Sequence, residues 1–323
     1  MKFLIAGAGA IGGYLGARMA QAGQDVTLFA RGPHLRAMQE RGLRVISGDG
    51  DFEVHPRVIG NLEEAGPMDV IFLGVKAHGL TQLAPLIQPL IGENTTVVST
   101  QNGIPWWYFQ SSAGELTGLH LERVDPGGVI AKAIPAARVA ASIAYFATEI
   151  AEPGVIRHTE GNRLSLGEPD GTRSERCNAI SQALIKAGLR CPVTQKIRTE
   201  IWVKIMGNVA FNPISVLTRA TLVQMAHDPA VAPVVRNIMT EVEAVAAKMG
   251  IQMPVSIEQR IAGAAKVGEH KTSMLQDLEA GRPMELEAVV GAVVELGERL
   301  GVPMPHTLTV YACTRLLGIN SSP

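Results

Sequence analysis

The sequence predicts an α/β protein with an N-terminal Rossmann-type doubly wound sheet and a second, all-helical C-terminal domain. Two observations predict the sheet: short apolar runs alternate with helical patterns up to about residue 103, and alternating extended runs broken by Gly and Pro follow at about 138–167. Helical periodicity then dominates almost every segment after about residue 195. We therefore expect one domain over residues 1–195 and another over 196–323.

The first domain is predicted to consist of buried strands joined by helices. The nearly unbroken apolar run KFLIAG is typical of a strand buried on both faces, and glycines lead from it into a helix over about residues 11–22. VISGDGDFEVHPRVI (45–59) is typical of a hairpin around a Gly-Asp-Gly turn. Further strands are predicted at DVTLFAR (25–31), MDVIFLGVK (68–76) and TTVVSTQNG (95–103). The runs at 138–167 are expected to extend the sheet in antiparallel fashion, and the terminal NSSP is expected to be disordered.

Composition and charge exclude several classes of function. The chain has 323 residues, of which 46% are hydrophobic and 18% charged, which is enough for two cores. A formal net charge of -1 gives no global attraction for nucleic acid or an anionic membrane. Glycines interrupt the apolar N-terminus from Gly7, unlike a signal peptide, and no stretch reaches the length of a membrane span. Cys177, Cys191 and Cys313 lack metal-ligand spacing and fit reduced thiols. We expect a cytoplasmic protein without a metal, nucleic-acid or membrane partner.

A glycine-rich loop, G7-A-G9-A-I-G12, follows the first strand and opens the first helix. Glycines permit a tight turn and a close approach of the backbone to pyrophosphate, and the helix N-terminus offers N–H groups and a partial positive charge. We therefore expect a dinucleotide to contact the loop residues Gly7, Gly9, Ala10, Ile11 and Gly12. Taken alone the motif also fits a turn without a ligand, but its place between strand and helix favours binding.

The ends of three predicted strands add polar groups at the same edge of the sheet. The second strand ends without the Asp or Glu that binds an NAD ribose, and Arg31 offers a planar cation suited to a 2′-phosphate. This favours NADP(H), although Arg31 could also be an ordinary solvated loop residue. Lys76 and Asn102 follow the next two predicted strands and should face the same crevice. Their alternatives are a surface lysine and a simple Asn-Gly turn.

The helical half contains a stripe of polar residues in WVKIMGNVAFNP. Lys204, Asn208 and Asn212 recur every four residues, so one helical face presents an ammonium and two amides that can reach one ligand. Alternatively, Lys204 extends to water and the amides bind nearby backbone. Ser273 and Glu285 form a second polar set, which converges on a pocket if the chain folds back at Gly281-Arg-Pro283. Glu285 could otherwise be an exposed carboxylate at a helix start.

In order and separation, these motifs resemble those of the ketopantoate reductase (2-dehydropantoate 2-reductase) family. The resemblance spans nearly the whole chain, and its most specific parts are K-x-x-x-N-x-x-x-N-P and S-M-x-x-D…E. It implies NADPH-dependent reduction of a 2-oxo acid to a 2-hydroxy acid, as in pantothenate synthesis, with the active site between the two domains. The motifs are GAGAIG, Arg31, VKAH, QNG, WVKIMGNVAFNP and SMLQDLEAGRPMELE.

The resemblance also implies a role for each matched residue. Lys204 corresponds to the general acid, and a nearby ammonium can protonate the carbonyl oxygen as hydride reaches the carbon. Glu285 corresponds to the carboxylate near the lysine and the substrate hydroxyl. We expect it and the amides to offset the desolvation that lowers the pKa of a buried lysine. The other matched residues are Asn208 and Asn212, which position the substrate and the lysine, Ser273, which contacts the substrate carboxylate, and Lys76 and Asn102, which contact cofactor or substrate.

One stretch departs from the family pattern. After QNG the chain inserts I104-P-W-W-Y-F109, a Gly- and Ser-containing stretch and V124-D-P-G-G128. The tryptophans could close over the nicotinamide, narrow the substrate pocket or pack as a flap on the second domain. The reaction class is thus better specified than the substrate. The alternatives are a reductase or opine-type dehydrogenase for a bulkier or amine-bearing 2-oxo acid, and an NADP-binding regulatory protein without catalysis. Ala- and Val-rich C-terminal helices fit a homodimer face or a core.

Overall fold

A computed structural model describes residues 1–110 and 115–321. The chain divides into two compact units. The first contains Met1–Gln101, Trp106–His120 and Gly127–Ile197, and the second contains Asn102–Pro105, Leu121–Pro126 and Arg198–Pro323. The sequence predicted unbroken domains, whereas two short segments from the N-terminal half group with the C-terminal helices. The Gly- and Ser-containing stretch at 111–114 lies outside the described residues.

The described part of the first unit contains one nine-stranded sheet, in the order β4-β3-β9-β8-β7-β6-β1-β2-β5. Adjacent strands are parallel throughout the run β8-β7-β6-β1-β2-β5. Strand β9 is antiparallel to β8, and β4 is antiparallel to β3. The predicted fold class is confirmed. The strands are β1 (Lys2–Ala6), β2 (Asp25–Phe29), β3 (Leu43–Ser47), β4 (Phe52–Val54), β5 (Arg57–Ile59), β6 (Val70–Leu73), β7 (Thr96–Ser99), β8 (Val139–Glu152) and β9 (Val155–Gly167).

Two strand expectations were partly wrong. In the expected hairpin at 45–59, β3 and β4 do pair in antiparallel register, but β5 leaves the hairpin and pairs in parallel with the open edge of β2. Among the runs at 138–167, β9 is antiparallel to β8 as expected, whereas β8 itself joins β7 in parallel. In both cases the extended segment pairs with a strand whose edge is otherwise unpaired. The local sequence of a segment does not specify which strand it will pair with.

Strands β6 and β7 end earlier than their apolar sequences suggest. The expectation that residues 74–76 and 100–103 continue these strands is wrong. Thr100 Oγ1 and the Gln101 side-chain amide both donate to the Leu73 carbonyl, at 2.5 and 2.7 Å, so the chain after β7 bonds through side chains. At Gly74 the chain passes so close to the glycine loop that an added Cβ would lie 3.0 Å from the Gly12 Cα. The strand ends therefore open into loops at the edge where we predicted ligand contacts.

Helices join the strands of the first unit and form most of the second. In the first unit, α1 lies against β2, β8 and β9. None of the helices in the described ranges combines the length and apolar character needed to cross a membrane. The helices are α1 (Ala10–Gln21), α2 (Gly32–Arg41), α3 (Ala77–Ile87), α4 (Val129–Ala133), α5 (Glu175–Lys186), α6 (Ile197–Thr218), α7 (Leu222–His227), α8 (Val231–Lys248), α9 (Ile257–Val267), α10 (Ser273–Glu279), α11 (Ala292–Arg299) and α12 (Pro305–Ser321), with a π-helical turn at Glu287–Gly291 before α11.

The C-terminal helix α12 continues through Asn320 to Ser321, so the expected disorder of NSSP is wrong for those two residues. Ser322 and Pro323 lie outside the described residues. The long helix α6 buries Trp202 and Met206 completely and leaves Lys204 and Asn208 partly buried. The amphipathic pattern of WVKIMGNVAFNP thus produces the predicted helix and holds its polar stripe at the margin of the core.

Candidate active site

The loop between β1 and α1 is held in place by its own packing. Gly7 has a φ of +112°, and a Cβ there would lie 2.9 Å from the Val75 backbone nitrogen. A Cβ at Gly12 would lie 2.8 Å from Ile5 Cγ2 and would also meet the Gly7 carbonyl. The Ala8 N–H donates to the Phe29 carbonyl at 2.8 Å, which ties the loop to the end of β2. The fold itself therefore requires glycine at positions 7 and 12.

Gly9 differs from these two glycines. Its φ of -73° is accessible to any residue, and the nearest described atom to an added Cβ, the Gly74 carbonyl oxygen, is 3.8 Å away. Packing does not explain this glycine, and the space beside its backbone is open to a ligand. Helix α1 begins at the next residue, with no acidic side chain in its first turn and no side-chain cap among the described residues. The loop with Ala10 and Ile11 therefore fits a pyrophosphate group.

Arg31 and Lys76 lie at the same edge of the sheet as the glycine loop, because each follows the carboxyl end of a parallel strand. Arg31 is the N-cap residue of α2, is exposed, and places its guanidinium 5.3 Å from the centre of the Phe29 ring. Lys76 is the partly buried N-cap residue of α3. The first unit thus brings the predicted cofactor residues other than Asn102 to one edge.

The second unit brings four of the predicted residues around one pocket. Ser273 is the exposed first residue of α10, Asn212 is buried in α6, and Glu285 lies just before the π-helical turn. The Asn102 side-chain amide donates to Glu285 Oε2 at 3.2 Å. The described lining residues are Asn102, Asn212, Ser273, Met274, Asp277, Glu285 and Val289. The condition stated for Ser273 and Glu285, a return of the chain at Gly281-Arg-Pro283, is therefore met, and both residues line the pocket.

A buried pair of hydroxyls links the elements that carry Asn212 and Ser273. Ser215 Oγ, on α6, donates to the Asn212 carbonyl at 2.7 Å and lies 2.5 Å from Thr272 Oγ1. Thr272 is the N-cap of α10 and accepts from the Leu275 N–H at 3.2 Å. Both hydroxyls are almost completely buried, so their bonds fix the start of α10 against the turn of α6 that presents Asn212. This pair was not predicted from the sequence.

Backbone packing places Asn102 beside Glu285. Gly103 has a φ of +87°, and a Cβ there would lie 2.6 Å from the Ala288 carbonyl carbon. The next residue, Ile104, donates its N–H to the Ala288 carbonyl at 3.3 Å. The Asn-Gly pair is therefore more than a simple turn. The glycine allows the backbone to pack closely against the π-helical segment that follows Glu285.

Asp277 is a pocket residue to which the sequence analysis gave no role. It is buried, follows Ser273 by one helical turn and accepts from Arg282 Nε at 3.2 Å. The sequence did contain a signal for this role. In SMLQDLE, Asp277 follows Ser273 by four residues, and residues four apart share a helical face. The ion pair ties α10 to the loop that leads towards Glu285.

Lys204 and Asn208 are not among the described residues that line the pocket, although they share α6 with Asn212. Burial lowers the pKa of Lys204 to about 8, while the Glu285 carboxylate raises this pKa and the Arg260 guanidinium lowers it. The expected effect of Glu285 against desolvation is present, but the pKa of Lys204 is still lowered overall. Glu285 opposes the effect of burial, but a second cation acts in the other direction.

The inserted aromatic residues form part of a core. Trp106 and Trp107 are 6% and 1% exposed, and Tyr108 and Phe109 are also buried. The Trp107 indole donates to Ser99 Oγ, at the end of β7, at 2.8 Å. Neither tryptophan is among the described residues lining the pocket, and both group with the first unit. The part that they play at the nicotinamide or at the second domain therefore stays a prediction.

Comparison with known proteins identifies the family. The family model for "Ketopantoate reductase PanE/ApbA" matches residues 3–171, and that for its C-terminal part matches residues 196–318. The chain belongs to the ketopantoate reductase family. It is 49% identical to a 2-dehydropantoate 2-reductase of Mesorhizobium japonicum, over 99% of this chain and 98% of that protein.

Other ketopantoate reductases support the same assignment. The chain is 30% identical to a 2-dehydropantoate 2-reductase of Archaeoglobus fulgidus, covering 98% of this chain and 97% of the relative. A crystal structure from Ralstonia solanacearum, provisionally named as a ketopantoate reductase, is 41% identical with a TM-score of 0.93, covering 98% of this chain and 97% of the other. The family resemblance of the sequence motifs is thereby confirmed.

Family membership makes the chain an oxidoreductase that acts on a CH–OH group. The reaction of the family is the reduction of 2-dehydropantoate, and ketopantoate reductases use NADPH. The predicted nicotinamide cofactor is therefore confirmed as that of the family.

Proposed function

We propose that this member of the ketopantoate reductase family reduces 2-dehydropantoate to pantoate with NADPH, and that Lys204 is the general acid. The observation that carries the proposal is the pocket that Glu285 lines with Asn102, Asn212 and Ser273, and the Glu285 carboxylate also raises the pKa of Lys204. A lysine whose pKa is about 8 is well suited to proton transfer near neutral pH.

The first unit is proposed as the cofactor-binding domain and the second as the substrate-binding and catalytic domain, with the boundary near residues 195–196. The open space at Gly9 and the uncapped start of α1 suit the pyrophosphate, and Arg31 suits the 2′-phosphate of NADPH. Lys76 is proposed as a further cofactor contact. When bound, NADPH supplies the hydride that reduces the substrate carbonyl.

Each residue of the second unit has a proposed task in the reaction. The Lys204 ammonium neutralises and then protonates the carbonyl oxygen as negative charge develops on it. Glu285 stabilises the protonated lysine and accepts from the hydroxyl of the product. Asn208 and Asn212 orient the lysine and the substrate, and the remaining contacts come from the Ser273 hydroxyl, to the substrate carboxylate, and from the Asn102 amide, which is already bonded to Glu285.

The decisive test is consumption of NADPH with a panel of 2-oxo acids, led by 2-dehydropantoate, with amine-bearing and bulkier acids as rivals. We expect the highest kcat/KM with 2-dehydropantoate. Preference for a bulkier acid, or turnover that requires an amine, would instead support the related reductase or opine-type dehydrogenase. Binding of NADPH without turnover of any acid would point to a non-catalytic protein. A cytoplasmic location follows from such a biosynthetic role, and a homodimer remains a prediction.

Replacing Arg31 with alanine should weaken NADPH selectively. The guanidinium would bind the 2′-phosphate in a charge-assisted, bidentate manner, so its loss should raise the Kd of NADPH by roughly 10- to 100-fold and leave that of NADH nearly unchanged. Fluorescence titration with both nucleotides measures the effect. Arg36→Ala, a change on the same helix, is the control. An unaltered NADPH to NADH preference in the Arg31 variant would rule out the phosphate contact.

A further inference from the structure

Arg260 is a partly buried cation on α9 that the sequence analysis did not single out. Its Nε donates to the Val203 carbonyl of α6 at 3.3 Å. Its guanidinium also lies against Gly207, one turn further along α6, where an added Cβ would be 2.9 Å from the guanidinium carbon. Arg260 therefore contacts two successive turns of the helix that carries Lys204.

Gly207 shows that this contact is built into the helix. The residue lies inside α6, where glycine is less favourable than alanine, and no positive φ requires it. The space that a Cβ would occupy is filled by the guanidinium of Arg260. The glycine is thus accounted for by the arginine, and an alanine at position 207 would displace the end of a flexible side chain and leave the helix backbone intact.

The guanidinium lies beside the polar stripe of α6. Val203 and Gly207 are four residues apart, and each directly precedes a stripe residue, Lys204 or Asn208. Charges from other described elements that act on Lys204 include the Arg260 guanidinium on α9 and the Glu285 carboxylate before the π-helical turn. Within α6 itself, Glu200 lies one turn before the lysine. Lys204 is thus subject to a repelling group on one element and an attracting group on another.

We propose that Arg260 is a positioning residue for the reduction. From its place against Gly207, the Arg260 guanidinium repels the Lys204 ammonium and directs that ammonium towards Glu285. The repulsion also makes Lys204 a stronger proton donor. The inference rests on the proposed role of Lys204 as general acid. Arg260 acts through the lysine and is assigned no contact with the substrate. The pKa of Lys204 is consistent with this arrangement, because the guanidinium lowers it and the carboxylate raises it.

Two variants remove the repulsion in different ways. Arg260→Gln deletes the charge, and Gly207→Ala keeps the charge but moves the guanidinium away from α6. Arg236→Gln, which removes an exposed cation of α8, is the matched control. The first readout is the pH dependence with which a small acylating reagent modifies Lys204, followed by peptide mass spectrometry. This readout requires no turnover. The second is the pH profile of kcat, and thermal melts establish that each variant is folded.

We expect the modification midpoint of Lys204 to rise by about 0.5–1 pH unit in Arg260→Gln and by less in Gly207→Ala, because a like charge is removed or withdrawn. The kcat at pH 7 should fall by roughly 3- to 10-fold, since a weaker acid transfers its proton more slowly. The KM for NADPH and the Arg236→Gln control should not change.

An unchanged modification midpoint in both folded variants would overturn the proposal. The same data separate it from the proposed function. If Lys204→Ala abolishes turnover while Arg260→Gln leaves the midpoint unchanged, the general acid stands and the role of Arg260 fails. If the midpoint shifts as expected while Lys204→Ala retains turnover, Arg260 and Lys204 are coupled as inferred, but the lysine is not the proton donor and the catalytic part of the proposal fails.

Discussion

Replacing Lys204 with alanine is expected to lower kcat for 2-dehydropantoate by about 10³-fold while leaving the Kd of NADPH within about twofold of the wild-type value. A positioned general acid typically contributes 10²- to 10⁴-fold, and here the same ammonium also stabilises the developing charge on the carbonyl oxygen. The predicted cofactor contacts of the first unit are untouched by this change. Steady-state kinetics and fluorescence titration measure the two effects separately.

Lys248→Ala is the matched control for this prediction, because Lys248 is an exposed lysine near the end of α8 in the same unit. It should leave kcat and nucleotide binding unchanged. An exogenous primary amine should restore part of the activity of Lys204→Ala, since the deleted side chain leaves a space beside the carbonyl. Normal turnover in the alanine variant would remove the lysine from the mechanism.

Replacing Glu285 with glutamine is expected to move the alkaline limb of kcat to lower pH by about one unit. The general acid acts in its protonated form, so the reduction rate of the wild type should fall as pH rises through about 8, the pKa of Lys204. The Glu285 carboxylate raises this pKa, and its loss lets burial and Arg260 lower the pKa further. At pH 8 we expect kcat to fall by roughly 10²-fold, because a smaller fraction of Lys204 is protonated and the contact with the product hydroxyl is weakened.

Glu298→Gln removes an exposed carboxylate from α11 and should leave the pH profile unchanged. The sign of the shift is the critical result, because Glu285→Gln and Arg260→Gln should move the limb in opposite directions. A limb that stays near its wild-type position in Glu285→Gln, with kcat reduced equally at every pH, would show that Glu285 acts without influencing the protonation of Lys204.

Local patterns predicted much of the fold and several of the site residues. Periodicity defined α6, and with it the stripe of Lys204, Asn208 and Asn212, while the glycine spacing defined the loop between β1 and α1. These features depend on residues close in sequence. From the sequence, Ser273 and Glu285 could be expected to meet only if the chain folded back between them. The chain does fold back, and both residues line the pocket of the second unit.

Features that depend on distant contacts could not be predicted. The pairing of β5 with β2, the contact of Arg260 with Gly207 and the hydroxyl pair of Ser215 and Thr272 each join elements that are separated in sequence. Burial likewise decided the environment of the inserted tryptophans, since an aromatic cluster has the same sequence whether it lines a pocket or fills a core. The glycine within α6 was a signal that a packing partner existed, but it did not specify which residue.

The segments Asn102–Pro105 and Leu121–Pro126 carry a consequence for how the two halves of the gene can recombine. The two family models match separate ranges, residues 3–171 and 196–318, as if the protein were modular, yet these loops from the first half belong to the second unit. A chimera of two homologues joined between these ranges would pair the Asn102 of one parent with the Glu285 of the other. Exchange of complete halves should therefore be tolerated between parents whose residues match at this contact.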